Sequence, residues 1–185
     1  GTRAGAAVAL APASPAHAPP VCTTIMVGPH GRLAANTNLS KGPSYHPLRD
    51  LAAVTFATSQ SNVLVVNPSV PVKSVQELIA LARAQPGKLT YGSSGAGNAG
   101  HLAAELFKTM TKTDMVHVPY KGGAPAMIDL IAGQVQLVFS SAPTAVPQVK
   151  AVKIRALAVT TIRRYAVLPD LPTIAVSGLP RQCAD

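Results

Sequence analysis

Between residues 62 and 160 the apolar positions switch repeatedly between a strand-like and a helix-like rhythm, and nearly every switch falls at a Gly, a Pro or a short polar stretch. Asn62–Val66 (NVLVV) is a continuous, largely β-branched run, as expected of a strand covered on both faces, and Asn67-Pro68 closes it. A helix is predicted from Ser74. Val75, Leu78, Ile79 and Ala82 share one face, Ser74 and Glu77 have capping-box spacing, and Pro86-Gly87 stops the helix. Residues 89–91 form a short strand that runs into GSSGAGNAG at 92–100. A second helix then carries Leu102, Ala103, Leu106, Phe107 and Met110 at helical spacing. Residues 115–118 are the next strand, ended by Pro119. Gly122-Gly123 precede a third helix with Ala126, Met127, Leu130 and Ile131 facing inward and Gly133 just past its end. A strand at 135–139, a short helix opened by Ser140-Ser141-Ala142-Pro143 and a strand at 154–160 complete the series. Strands alternating with helices predict an α/β fold with a mainly parallel sheet covered on both faces.

The pattern before residue 62 is weaker. Residues 1–20 are Ala/Pro-rich and read as a weak helix breaking into loop. A short strand at 22–27 ends at Gly28-Pro29, a polar loop with a short helical turn spans 28–50, and a further strand is expected at 51–58.

Composition narrows the possibilities. Hydrophobic residues make up 48% of the 185, enough for a core, but aromatics are only 4% and there is no Trp, so Ala, Val, Leu and Ile must build it. That apolar fraction, with charged residues at 12%, argues against disorder. The length suits one compact domain or two small lobes. The formal net charge is +9, yet Lys and Arg are scattered singly apart from Arg163-Arg164, and no basic run is interleaved with aromatics. This speaks against nucleic acid and leaves a diffuse positive field that suits a small anion. Cys22 and Cys183 form no CxxC pair, so zinc and redox motifs lack support. Cys22 reads as buried and Cys183 as incidental, with one disulfide between them left open. No apolar run reaches the roughly 18 residues of a membrane span. The Ala-rich start is interrupted by Pro12, Pro15, Pro19 and Pro20 and is not read as a signal peptide.

The strongest local signal for chemistry is Tyr91 to His101, a strand entering a Gly/Ser loop that opens a helix. Small residues allow close backbone approach, several N–H groups can face one anion, and the helix dipole adds to the attraction. Gly95-Ala-Gly97-Asn-Ala-Gly100 matches GxGxxG literally. However, no acidic residue follows about 20 positions on, as a dinucleotide site requires. A phosphate-gripping loop would end in Gly-Lys-Ser/Thr, and here His101 follows Gly100. A simple anion-binding loop lacks nothing, while a tight strand-to-helix turn without a ligand explains the same residues. Pro119-Tyr120-Lys121-Gly122-Gly123 and Ser140-Ser141-Ala142-Pro143 repeat the design, and three such loops on parallel strands would gather at one sheet edge. Tyr120 and Lys121 offer a hydroxyl and a charge, although a solvated surface lysine is the commoner case. Catalysis finds little support: no carboxylates form a close pair, Glu77, Glu105 and Asp129 read as capping or solvated, and no HxxxH or HxH occurs. His101 is expected to bond locally and His117 to sit in a strand. Gly92-Ser-Ser-Gly is one residue short of a nucleophile elbow. A hydrolase working through Ser93 or Ser94 would need a base within hydrogen-bond reach.

The run from NVLVVNPSVPVKSVQELI through TYGSSGAGNAGHLAAELFK, then DMVHVPYKGGAPAMIDLIAGQVQLVF and KIRALAVTTIRRYAVLPDLPTIAVSGLP, resembles the tripartite tricarboxylate transporter substrate-binding proteins, or Bug family, over nearly all of residues 21–180. The resemblance implies a type II periplasmic binding-protein fold, two α/β lobes that close on a small organic acid without chemistry or cofactor. It also implies permease subunits in the membrane as partners and a periplasmic location. By matching motif, Ser93, Ser94, Gly95, Gly97 and Asn98 line the cleft, with Tyr120, Lys121, Gly122 and Ser140 nearby and Gly28 facing it from the first lobe. No catalytic or metal-binding residue is implied. The second lobe is expected at 67–157 and the first at 1–66 and 158–185. The family's signal peptide, first strand and carboxylate-gripping loop have no counterpart in this sequence, and its pattern fades after Pro180. The second lobe is therefore expected whole and the first cut at both ends. The rival expectation is a truncated remnant that binds nothing.

Overall fold

A computed structural model describes residues 18, 19, 25, 46–55, 60–162 and 164–179. The expectations for Gly28, Cys22 and Cys183, the strand at 22–27, nearly all of the helix at 1–20 and most of the loop at 28–50 lie outside them. Five strands, β1 (Asn62–Val66), β2 (Thr90–Ser93), β3 (Val116–Pro119), β4 (Leu137–Ser141) and β5 (Arg155–Val159), form one sheet in the order β3-β2-β4-β1-β5. The helices are α1 (Pro47–Asp50), the expected short turn, then α2 (Val75–Ala84), α3 (Ala99–Thr111), α4 (Gly123–Ile131) and α5 (Ala142–Lys150).

The sheet departs from expectation in one strand. β2 pairs parallel with β3 and β4, but β1 is antiparallel to both β4 and β5. A continuous apolar run reports two covered faces, not the direction of its neighbours. The two faces are indeed covered. Leu64, Val66, Tyr91 and Phe139 pack with α2 and Phe107 of α3, while Val63, Val65 and Val138 pack with Met127 and Leu130 of α4 and Ala145 of α5. The strand expected at 51–58 does not form over residues 51–55, where Ala52 to Thr55 are exposed and have no pairing strand among the described residues.

Local sequence accounts for the helix ends. Ser74 Oγ accepts the Glu77 N–H at 3.2 Å, and the Glu77 carboxylate reaches back to the Lys73 N–H at 2.7 Å, one residue earlier than the simplest capping box. At the end of α4, Gly133 lies at φ +79°, the Gly133 N–H reaches Leu130 O, and the Gln134 N–H reaches Asp129 O, a Schellman closure. The rotation of α3 follows its apolar spacing in part, with Ala103, Phe107 and Met110 on the core. Gly100, Ala104, Phe107 and Thr111 face the sheet, whereas Leu106 is 41% exposed. A Cβ on Gly100 would collide with the carbonyl oxygen of Phe139, so the close approach of α3 to β4 at this glycine sets which face turns inward.

Because β2, β3 and β4 run the same way, Ser93, Pro119 and Ser141 end at one edge of the sheet. β1 begins at that edge, with Asn62 opposite Ser141, and β5 ends there, with the Thr160 N–H on Asn62 O. β1 and the whole of β5 thus pair in the same sheet as the strands between them, while the sequence reading drew its lobe boundaries at 66/67 and 157/158.

Candidate functional site

The three loops singled out in the sequence are brought together at this edge. Ser93 and Pro119 are direct partners across β2 and β3, and the Tyr120 N–H bonds Ser93 O at 2.9 Å. Each loop opens a helix, and none of the three helices has a side-chain cap. At α3 the N-cap Asn98 turns its Nδ2 to Ser94 O at 3.0 Å instead. At α4 the N-cap is Gly122, which has no side chain to offer. At α5 the N-cap Ser141 shares its hydroxyl with Thr144 at 3.0 Å. By contrast α2, entered after β1 has run to the opposite edge, is fully capped by Ser74 and Glu77. First-turn N–H groups need an acceptor from outside the helix. Here the N-termini of α3, α4 and α5 lie at one edge with their dipoles aligned toward it, although at α5 the Ala142 N–H already reaches Ser61 O at 2.9 Å and Pro143 has no N–H to offer.

The loop of β2–α3 is held from within. Gly95, at φ +127° where L-residues are strained, donates its N–H to Ser93 Oγ at 3.2 Å, and Gly97 donates to His101 Nδ1 at 3.2 Å. These two amides, expected to face an anion, are therefore occupied, while Ala96, Ala99 and Gly100 have no acceptor for theirs among the described hydrogen bonds. Ser94 is half-buried. Ser140 is buried and its hydroxyl turns to Ser141 O at 3.4 Å. Tyr120 packs against the core beside Val118 and donates its hydroxyl to Asp129 Oδ2 at 2.7 Å. Burial and that carboxylate push the Tyr120 phenol up to about 12, so it stays protonated. Asp129 is thereby a partner of Tyr120, where a capping or solvated residue was expected. Lys121 is exposed, with no ion pair among the described residues.

Beneath the loop lies a cluster that sequence reasoning missed. Ser93, fully buried, has its Oγ 2.6 Å from His117 Nε2. The His117 ring stacks on Tyr91 with centroids 4.8 Å apart and touches His101 at 4.3 Å. The Tyr91 hydroxyl donates to Glu105, which also pairs with Lys108 at 3.0 Å. Burial pushes both imidazoles below the ordinary histidine value, and for His117 the neighbouring His101 adds to the shift. Burial would raise Glu105, but the Tyr91 hydroxyl and Lys108 outweigh it and hold the carboxyl below its usual range. The signal available in the sequence was the equal distance of Tyr91 and His117 from their strand ends, which pairs them in register.

Ser93 thus meets the distance criterion for a Ser–His pair. The rest of the geometry does not follow: the hydroxyl is buried, it already accepts the Gly95 N–H, and no carboxylate bonds His117 among the described residues. No group of His, Cys, Asp and Glu suited to a metal occurs among the described residues. A groove of about 490 Å³, lined by Val149, Val152, Arg155, Val167 and Leu171, lies by the start of β5, at the opposite edge from the three loops.

Comparison with known proteins agrees with this architecture. The family model for the tripartite tricarboxylate transporter family receptor matches residues 1–183. The protein of the tcbD-tcbE intergenic region of a Pseudomonas species is 36% identical over 89% of this chain and 49% of its own length. BugT of Bordetella pertussis is 32% identical over 85% of this chain and 48% of its own. Among solved structures, an R. palustris protein with adipate superposes with a TM-score of 0.91 at 40% identity, covering 95% of this chain and 59% of that one. MatC of Rhodopseudomonas palustris with bound malate superposes at 0.89 with 29% identity, covering 97% and 61%. The chain spans about half the length of the curated relatives it matches. It belongs to the tripartite tricarboxylate transporter receptor family, with the mixed α/β architecture of its periplasmic binding proteins.

Proposed function

We propose that the chain is part of a solute-binding component that captures a small organic carboxylate, at the sheet edge formed by Ser93, Pro119 and Ser141, for a tripartite tricarboxylate-type uptake system. The observation that carries this reading is the gathering at that edge of three helix N-termini without side-chain caps, against one fully capped helix from the other edge. Unsatisfied N–H groups and aligned dipoles favour an anion, and a scattered charge of +9 favours its approach. Adipate and malate in the two similar structures support a dicarboxylate. Ser94, Asn98, Lys121 and Gly122 stand nearest the first-turn amides. Ser93, Gly95, Gly97, Tyr120 and Ser140 support them by holding the loops. The first lobe, with Gly28 on its cleft side, would close over the ligand from the chain that enters at β1 and leaves at β5, and permease subunits in the membrane would receive the ligand from the periplasm.

A thermal-shift series with adipate, malate, succinate, citrate, glutamate and benzoate tests the reading. A saturable rise in Tm with at least one acid is expected, since a ligand that binds only the folded state stabilises it. A cooperative melt unmoved by every acid would favour the non-binding remnant. A second reading, hydrolysis at Ser93, has the 2.6 Å contact with His117 in its favour. It requires turnover of p-nitrophenyl esters that Ser93→Ala abolishes, and no such turnover is expected from a buried hydroxyl.

A further inference from the structure

We infer that His101, in its neutral form, is the positioning residue that holds the Gly95–Gly97 turn in shape, so that protonating this one ring releases the loop. The inference rests on the carboxylate-binding reading for its consequence, not for its geometry. Gly97 donates its N–H to His101 Nδ1 at 3.2 Å, which requires a lone pair on that nitrogen and places the ring proton on Nε2. The Gly95 N–H follows a parallel route: it reaches Ser93 Oγ, which stands 2.6 Å from His117 Nε2. Ser93 has one proton to give and no other described acceptor, so the simplest chain runs from Gly95 through the hydroxyl to an unprotonated Nε2. Both glycine amides of the turn therefore end on neutral imidazoles, and the two rings touch at 4.3 Å.

Charging either ring has two costs. At His101 it places an N–H against the Gly97 amide; at His117 it turns the Ser93 hydroxyl from donor to acceptor and leaves that hydroxyl's proton without its acceptor. It also sets a positive charge beside the second imidazole. The charged and titratable groups around His101 are His117 on β3, Tyr91 on β2, and Glu105 and Lys108 on its own helix. Glu105 favours a charged His101, but its carboxylate is already held by the Tyr91 hydroxyl and Lys108. Burial opposes the charge and Lys108 adds to that opposition. The device is local. Asn at position 101 would offer Oδ1 where the imidazole offers Nδ1, keeping the acceptor and removing the titration. Leu would remove both.

The test is a pH titration of the purified chain from pH 8 to 5, followed by the Gly97 amide and His101 ring signals in NMR spectra, with adipate affinity measured in parallel. In the wild type the Gly97 amide should shift and lose exchange protection with the same midpoint as His101, below 6.5. In His101→Asn it should stay protected without a step. Each protein being compared with itself, adipate affinity should fall roughly tenfold more between pH 7.5 and pH 5 in the wild type than in His101→Asn. Because the acid's own ionisation is common to both proteins, only the difference counts. A Gly97 amide indifferent to His101, or equal acid losses in both proteins, would overturn the inference. If adipate and the other acids fail to bind at any pH, the binding proposal fails, while the Gly97 amide still decides the role of His101.

Discussion

Gly100 shows how much one missing side chain decides. Its Cα lies so close to the Phe139 carbonyl that any Cβ must displace α3 from β4. Gly100→Ala should therefore cost about 1–3 kcal/mol of stability and weaken carboxylate binding, because the same shift moves the α3 amides. Denaturant melts and ligand titrations of the two proteins check this. The histidines make a second prediction. Their folded pKa values are lowered, so the unfolded chain binds more protons below pH 6.5 and stability must fall as pH drops from there through the folded values. Glu105, also lowered in the folded state, extends the loss below the usual glutamate range. Tm should thus decline between pH 7 and 5, and the decline should be shallower in a His101→Asn, His117→Asn double variant. Of the residues involved, the sequence placed Ser93, Gly95 and Gly97 in a ligand loop but treated His101 and His117 separately. Their contact depends on strand register and helix rotation, which no local motif carries.

At the scale of elements, capping separates α2 from the three helices that face the proposed ligand edge. Ser74→Ala should destabilise by about 1 kcal/mol and leave carboxylate affinity unchanged, since α2 starts away from the three loops. Chemical denaturation paired with calorimetric titration would show the two effects apart. The Ser/Glu signature of α2 and the closing Gly133 were readable because both are local. The five strands at 62–160 were readable from apolar runs bounded by turn residues. The reversed direction of β1 was not, because Asn62–Val66 is apolar on both faces whichever way it runs. The face of α3 was legible in part: Ala103, Phe107 and Met110 pack on the core, but Leu106 shares their spacing and is exposed, while the small Gly100 and Ala104 make the closest packing.

For the molecule as a whole, the positive charge and the shared edge point to one anion site. The β1 start and β5 end place the chain's entry and exit beside the loops, the arrangement a two-lobed clamp needs. The family could be read from long ordered motifs, whereas the ligand could not, because its identity depends on loop shape, which no local motif carries. The central claim concerns where a carboxylate sits, and amide chemical-shift mapping with adipate addresses it most directly. The account predicts saturable shifts confined to the amides of 94–100, 121–124, 141, 142 and 144. Shifts clustered instead around Val152 and Leu171 at the opposite edge, or none at all from a folded chain, would contradict it.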